Sequence, residues 1–254
     1  MVRSQLYPLE VNPSTGEPFL RLPAPNDNII ITPPRYEDEP LFGPIINHPE
    51  VSIWLEGPPI PYRDEDASFW INIVKPKADT LINDLREEEK RNPDGPLKLV
   101  DDCPISHLRE VLPDGSDTFI GCIGVHRAQF EEVLDAEERA EKFEENNAKE
   151  AGDPTIRWTF GDYLAPSHHR RGIMSAAMKI VLDKWVVPRM GARSMTGYAF
   201  AGNRGSRRVF ENSGFVWKGT LNNGKVIRGE PKLLEYLEWE YQEPSDQSTD
   251  DNLK

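Results

Sequence analysis

Residues 163–184 read YLAPSHHRRGIMSAAMKIVLDK, and the order of residue types in this stretch decides the fold. A strand-like end gives way at Ala165-Pro166 to a short loop carrying two histidines, two arginines and a glycine. Ile173, Ala177, Val181 and Trp185 then recur at spacing four, which lays one apolar stripe along a helix packed against a sheet. Pro188 is expected to end that helix. A strand, a short loop and a helix leave the loop and the first helical turn rich in N–H groups without partners, and such groups bind phosphate oxygens. Arg170 and Arg171 add charge-assisted donors, and Gly172, with no side chain, lets a ligand approach the main chain closely. The alternative is a solvated helix start, but cations are unfavourable at the positive end of a helix dipole, which tilts the choice toward a bound anion. Neither GxxxxGK[ST] nor GxGxxG is present.

The chain around this stretch is acidic, with 30 Lys and Arg against 43 Asp and Glu and a net charge of −13 over 254 residues. That balance argues against a nucleic-acid partner, because phosphate backbones reward clustered Lys and Arg. It permits a cationic substrate, although much of the acid lies in Glu131–Glu150 and in the tail EPSDQSTDDNLK, where it serves solubility. No apolar run approaches the roughly 20 residues that span a bilayer. The N-terminus has neither a signal-peptide core nor a transit-peptide bias, so the expected location is cytoplasmic, with no membrane partner. Cys103 and Cys122 are too few for a disulfide framework and lack metal-site spacing, so no metal is expected.

Along the chain, residues 1–27 read as an irregular arm, 28–241 as one domain with a polar insertion at 131–153, and 242–254 as an acidic disordered tail. Strands are expected at Ile29–Thr32, Leu97–Asp102, Ile105–Val111, Phe119–Val125, Thr155–Leu164, Ala192–Phe200, Phe215–Leu221 and Leu233–Tyr241. Helices are expected near Tyr36, at Pro49–Leu55, from Asp64 onward, at Gly172–Val187 and at Asn203–Asn212, with Leu81–Arg91 either extending the third or standing alone. Gly214 suits the left-handed position that follows the last of these. The fold class is α/β (α+β), a mixed twisted sheet of about seven strands flanked by helices on both faces.

YLAPSHHRRGIMSAAMKIVL resembles the acetyl-CoA-binding segment of GNAT-superfamily N-acetyltransferases, whose pattern is Gln/Arg-x-x-Gly-x-Gly/Ala. His169 stands at the Gln/Arg position, Gly172 matches, and Met174 replaces a small residue. NRGSRRVFENSGFVWKGTL is similar to the signature of the RimJ/RimL-type branch, with Asn203, Ser206, Gly214, Phe215 and Gly219 in step. HPEVSIWLEGPPIPYRDEDASFWI resembles the N-terminal helices of that branch and FIGCIGV its central strand. The resemblance covers residues 28–241 apart from the insertion, and it implies the GNAT fold and acetyl transfer from acetyl-CoA to a primary amine. It also implies that the backbone near Tyr163, Leu164 and Ala165 pairs with the pantetheine arm. The loop His169, Arg170, Arg171, Gly172, Ile173 and Met174 then holds the diphosphate, Asn203 bonds the pantetheine, and Phe210 lines its channel.

Ser206 matches the family serine that protonates the departing thiolate; its alternative reading is a helix-capping or packing serine. The general base stays open. Asp162, at the end of the strand that feeds the loop, and Glu230 are the candidates, and each also suits a surface or substrate-orienting role. The acceptor is a small-molecule amine or a protein N-terminus, and the protein a monomer or homodimer. The Glu-rich insertion and the arm would narrow the acceptor cleft and favour a small molecule. An acyl-CoA-binding sensory module without turnover, or a scaffold using its acidic segments, are the other readings.

Overall fold

A computed structural model describes residues 4–243. Its elements in chain order are β1 (Glu10–Val11), β2 (Pro18–Arg21), β3 (Ile29–Thr32), α1 (Glu39–Ile46), α2 (Pro49–Ser52), α3 (Asp64–Arg91), β4 (His107–Val111) and β5 (Asp117–Arg127). There follow α4 (Ala136–Ala148), β6 (Arg157–Leu164), α5 (Ile173–Val181), α6 (Val187–Met190), β7 (Ser194–Phe200), α7 (Arg204–Asn212), β8 (Val216–Leu221), β9 (Val226–Ile227), β10 (Glu230–Pro231) and β11 (Leu234–Glu240). Nine strands form one sheet in the order β1-β2-β3-β4-β5-β6-β7-β11-β8, and β9 and β10 make a separate hairpin. Only β6 and β7 run parallel; the other neighbours are antiparallel. No helix among the described residues is long and apolar enough to cross a membrane.

Alternation along the strands sends neighbouring side chains to opposite faces. On β5 and β6, Phe119 and Tyr163 pack with Phe42, Ile46 and Ile71 of α1 and α3. Ile123, Phe160 and Leu164 pack instead with Ile173, Ala177 and Val181 of α5. The sheet is therefore covered on both faces. The predicted stripe of α5 is buried throughout, with Ile173, Ala177, Val181 and Trp185 all at 1% exposure or less.

The arm is not irregular. It adds β1 and β2 to the sheet edge, which raises the count from about seven strands to nine, and it sends Leu6, Leu9, Leu20 and Leu22 into the main core. Arg189, fully buried, holds it there: its guanidinium donates to the carbonyls of Gln5 (2.7 Å), Tyr7 and Lys98 (3.2 Å). Leu97–Asp102 is not a strand. Its Val100 N–H bonds the carbonyl of Arg189 (2.8 Å) on α6, so the segment between Pro96 and Pro104 joins no ladder. Nor does Pro188 end the helix. The chain widens into one π turn at Leu182–Val186, which absorbs the hydrogen bond that Pro188 cannot make, and continues as α6 to Met190. Gly191, left-handed at φ 70°, ends it.

Asp64–Arg91 is one continuous helix, and the surface helix of the insertion is capped by Asp135, whose carboxylate accepts from the N–H groups of Glu137 (3.0 Å) and Glu138 (2.9 Å). Its buried Asn146 ties it to β6 through the N–H (2.9 Å) and carbonyl (2.9 Å) of Arg157. Gly214 takes the expected left-handed conformation at φ 92°. The acidic tail from residue 244 onward lies outside the described residues.

Candidate active site

β6 and β7 pair only from Arg157 to Thr159 and from Ser194 to Thr196, and both strands continue past that point, β6 to Leu164 and β7 to Phe200. A wedge-shaped gap therefore opens between their C-terminal halves. Because the two strands are parallel, the helices that follow them, α5 and α7, both begin at the open end of the gap.

The edge of β6 that borders the gap follows from two bonds. Ala165 N–H donates to Ile120 C=O (2.7 Å) and Ala128 N–H to Arg157 C=O (2.9 Å). In an antiparallel ladder these fix Cys122–Tyr163, Gly124–Gly161 and His126–Thr159 as the hydrogen-bonded pairs. The main chain of Tyr163 is thus engaged with β5, and that of Asp162 and Leu164 turns to the gap. Ala165 is engaged too, since its carbonyl accepts from His168 N–H (2.9 Å). Of the three residues expected to pair with a pantetheine, only Leu164 faces the gap, and its carbonyl already accepts from His169 Nε2 (2.8 Å). The open groups are the main chain of Asp162 and the Leu164 N–H.

Past the gap, the loop has a run of unused donors. No acceptor among the described residues is bonded to the N–H groups of Arg170 through Ser175, and the first bond of the helix runs from Ala176 N–H to Gly172 C=O (3.0 Å). Arg170 adopts φ 61° and Gly172 φ 75°, two left-handed-region residues on either side of Arg171 that turn the chain into the helix. A Cβ on Gly172 would meet nothing within 4 Å, so this glycine is required for its backbone conformation, while the space above it lies open.

The side chains divide by role. Arg170 is exposed and makes no ion pair among the described residues, whereas Arg171 is drawn to Glu110 (3.2 Å), which also meets His168 Nε2 (3.1 Å). The His168 hydrogen bond, with Arg171 adding, holds the Glu110 carboxyl below the usual range. Ile173 and Met174 are buried in the core, so they bring only their N–H groups to the loop, and the Met174 side chain does not crowd it.

On α7, Asn203 caps the helix by accepting from Ser206 N–H (3.1 Å), which leaves its Nδ2 free of described partners; the half-buried Ser206 hydroxyl is likewise unbonded. Phe210 does not line a channel. It is 1% exposed and lies against the bare backbone of Gly197 on β7, where a methyl group would come within 2.6 Å of the ring. Glu230 does not border the gap either: it is exposed on the β9–β10 hairpin and pairs with Lys232 (3.1 Å).

Asp162 points to the same face as Phe160 and Leu164, toward α5. Its carboxylate is partly open to water but walled in by protein, it has no hydrogen-bond partner among the described residues, and desolvation raises its pKa to about 6.

The opposite face of the gap carries residues that no sequence motif marks. Gly124 and Gly161 lie directly opposite one another, leaving bare main chain at the surface, and the His126 ring leans over both. A methyl group on Gly124 would stand 2.7 Å from His126 Nε2, and one on Gly161 would stand 3.7 Å away. This floor is bounded on one side by Tyr163 and α3. On the other stand Arg157 and Tyr198, both bonded to Glu132 of the insertion. The hairpin closes one end: Lys225 bridges Glu56 (2.6 Å) and Glu131 (2.9 Å), and Arg228 donates to the carbonyls of Ser52 (3.1 Å) and Leu55 (3.0 Å).

Comparison with known proteins agrees with this geometry. Residues 28–216 match the family model described as the acetyltransferase (GNAT) domain. No curated protein matches the sequence. Among solved structures, a GNAT-family acetyltransferase from Bacillus anthracis is similar at 13% identity and TM-score 0.55, over 87% of this chain and 98% of that one. The ribosomal-protein-S5-alanine acetyltransferase from Vibrio fischeri is similar at 14% identity and TM-score 0.53, over 87% and 96%. RimL, a ribosomal L7/L12 alpha-N-protein acetyltransferase solved with coenzyme A, is similar at 10% identity and TM-score 0.53, over 87% and 97%. At these identities the structures share the fold, and the family model extends over most of the sequence. The chain belongs to the GNAT acetyltransferases.

Proposed function

We propose that this acetyl-CoA-dependent N-acetyltransferase holds its donor in the β6–β7 gap and acetylates a primary amine that arrives from the opposite face of the sheet. The observation that carries the reading is the continuity of unused donors: the Asp162 and Leu164 main chain in the gap, then the N–H groups of Arg170–Ser175 around the helix start. A diphosphate fits the second set, with Arg170 as its free cation, and a pantetheine amide fits the first.

Asn203 Nδ2 and the Ser206 hydroxyl stand at the start of α7, at the same end of the gap. Ser206 is placed to return a proton to the departing thiolate. Asp162 supplies main-chain bonds to the donor and a carboxylate on the donor's face, which suits orientation. Transfer needs only that a neutral amine be held against the thioester carbonyl while main-chain N–H groups meet the oxyanion.

The acceptor is a small amine or a protein N-terminus. Two of the similar solved structures are named for ribosomal-protein substrates, while another, at 12% identity and TM-score 0.50, is named for microcin C7 self-immunity, so both acceptor classes stay open. The arm does not bear on the choice, since it lies at the far edge of the sheet from the gap; the insertion does, through Glu131 and Glu132.

Titration calorimetry with acetyl-CoA, followed by coenzyme-thiol release over a panel of peptides with free α-amines and small primary amines, tests the reading. Micromolar binding and amine-dependent release are expected. Absence of either sinks it.

A further inference from the structure

The Asp162 carboxylate lies on the donor's face, toward α5, so it offers no acceptor to an amine that arrives from the other face as proposed above. We infer that His126 takes that proton and is a catalytic residue of this enzyme, an assignment that rests on the acetyl-transfer reading above.

Four observations carry it. His126 stands opposite Thr159, the last residue of β6 paired with β7, so it is level with the point where the gap begins. Its ring leans back over Gly124 and Gly161, in the direction of the open gap, with Nε2 leading. A side chain at Gly124 would occupy the place of that ring, so the glycine leaves room for the imidazole to lie over the sheet. Neither ring nitrogen is bonded to a described residue, unlike His107, His168 and His169, which are each tied to a carboxylate or carbonyl.

The charged groups that face His126 are Lys77 on α3 and Asp102 in the segment before β4, and they pair with one another at 2.8 Å. The residue is exposed at the sheet surface, yet its ring is crowded by the chain around it; that partial desolvation, the larger effect, with Lys77 adding, outweighs the pull of Asp102 and lowers the imidazole pKa, so the ring is a neutral proton acceptor at pH 7.

The step balances. The amine nitrogen bonds to the thioester carbonyl carbon, the C–S bond breaks, and the surplus N–H proton passes to the imidazole directly or through one water. The thiolate is protonated from Ser206, which regains its proton from solvent as the imidazolium loses one. The products are an N-acetyl amide and the coenzyme thiol.

The test compares wild type, His126→Ala and Asp162→Asn by calorimetry and by kcat/KM against pH. His126→Ala should lower kcat/KM by about 10²- to 10⁴-fold and leave acetyl-CoA affinity within about twofold. It should abolish the acid limb of the profile and recover activity with added imidazole. Asp162→Asn should keep the acid limb. If His126→Ala folds poorly, the nearly isosteric His126→Asn, checked by circular dichroism, should lose the same limb.

A His126 variant within about threefold of wild type, or one that keeps the limb, overturns the assignment while leaving the acetyltransferase reading intact. A limb lost only in Asp162→Asn moves the role to that carboxylate. Wild type that neither binds acetyl-CoA nor releases thiol overturns the reaction and this residue with it.

Discussion

Replacing Asp162 with asparagine should stabilise the protein, and by an amount that depends on pH in a way the structure specifies. Its pKa is raised from 3.8 to about 6 by desolvation, with no partner among the described residues to offset the burial. The sign follows from linkage. Below pH 3.8 the carboxyl is protonated in both folded and unfolded chains and imposes no penalty. Between 3.8 and about 6 the unfolded chain ionises first, so stability falls as pH rises, and above about 6 the loss is constant.

A shift of this size corresponds to about 3 kcal/mol at pH 8, with about 1 kcal/mol already present at pH 4.5. Urea unfolding of wild type and Asp162→Asn across that range should show the stability gap widening by about 2 kcal/mol from pH 4.5 to pH 8. A gap of constant size, or a variant less stable than wild type at pH 8, would refute the reasoning. Such a group is a natural place for function to oppose stability, because an unpaired carboxylate beside a ligand-binding gap is costly in the empty protein.

Arg170→Ala should weaken acetyl-CoA binding by about tenfold and barely change the unfolding midpoint, whereas Arg171→Ala should affect binding less, since its guanidinium is committed to Glu110; calorimetry on both variants separates them. Met174→Ala should cost about 2–5 kcal/mol of stability, read from urea unfolding, and leave acetyl-CoA affinity of the folded fraction unchanged. Glu230→Gln should leave kcat/KM within about twofold, because the side chain is exposed and paired only with Lys232.

What the sequence revealed tracks how local the determining interaction is. The loop from Pro166 to Gly172 and the stripe of α5 were legible because a turn, a cap and a period of 3.6 are set within a few residues. The arm was not, because its leucines stand singly among prolines and show their purpose only in a core built from much later elements, with the Gln5 carbonyl held by Arg189, 184 residues away. Pro188 misled for a related reason: a proline is tolerated in a helix when a wide turn ahead of it removes the need for its N–H.

Site assignments divided the same way. Gly172 and the loop N–H groups belong to a motif, but which side of β6 meets the gap is read from its bonds to β5 and the residue after it, Ala165 to Ile120 and Ala128 to Arg157, and these separate Leu164 from Tyr163 and Ala165. Phe210 has the residue type of a channel lining, yet Gly197 gives it a place in the core. His126 had only a faint signal, the glycines within GCIGVH and FGDY, which become informative once their strands are known to be neighbours.

The buried guanidinium of Arg189 makes the first residues of the chain behave as a counter-ligand. No carboxylate among the described residues pairs with it; it lies over the Trp185 ring (4.8 Å), and peptide carbonyls of Gln5, Tyr7 and Lys98 accept its hydrogen bonds. The helix that carries this charge descends, through the π turn, from the loop proposed to hold the diphosphate. With the donor held as proposed, one continuous rod is fastened at both ends, by the nucleotide at its head and by the N-terminal segment at its foot, so removing that segment should be felt at the donor site without touching any residue proposed to bind it.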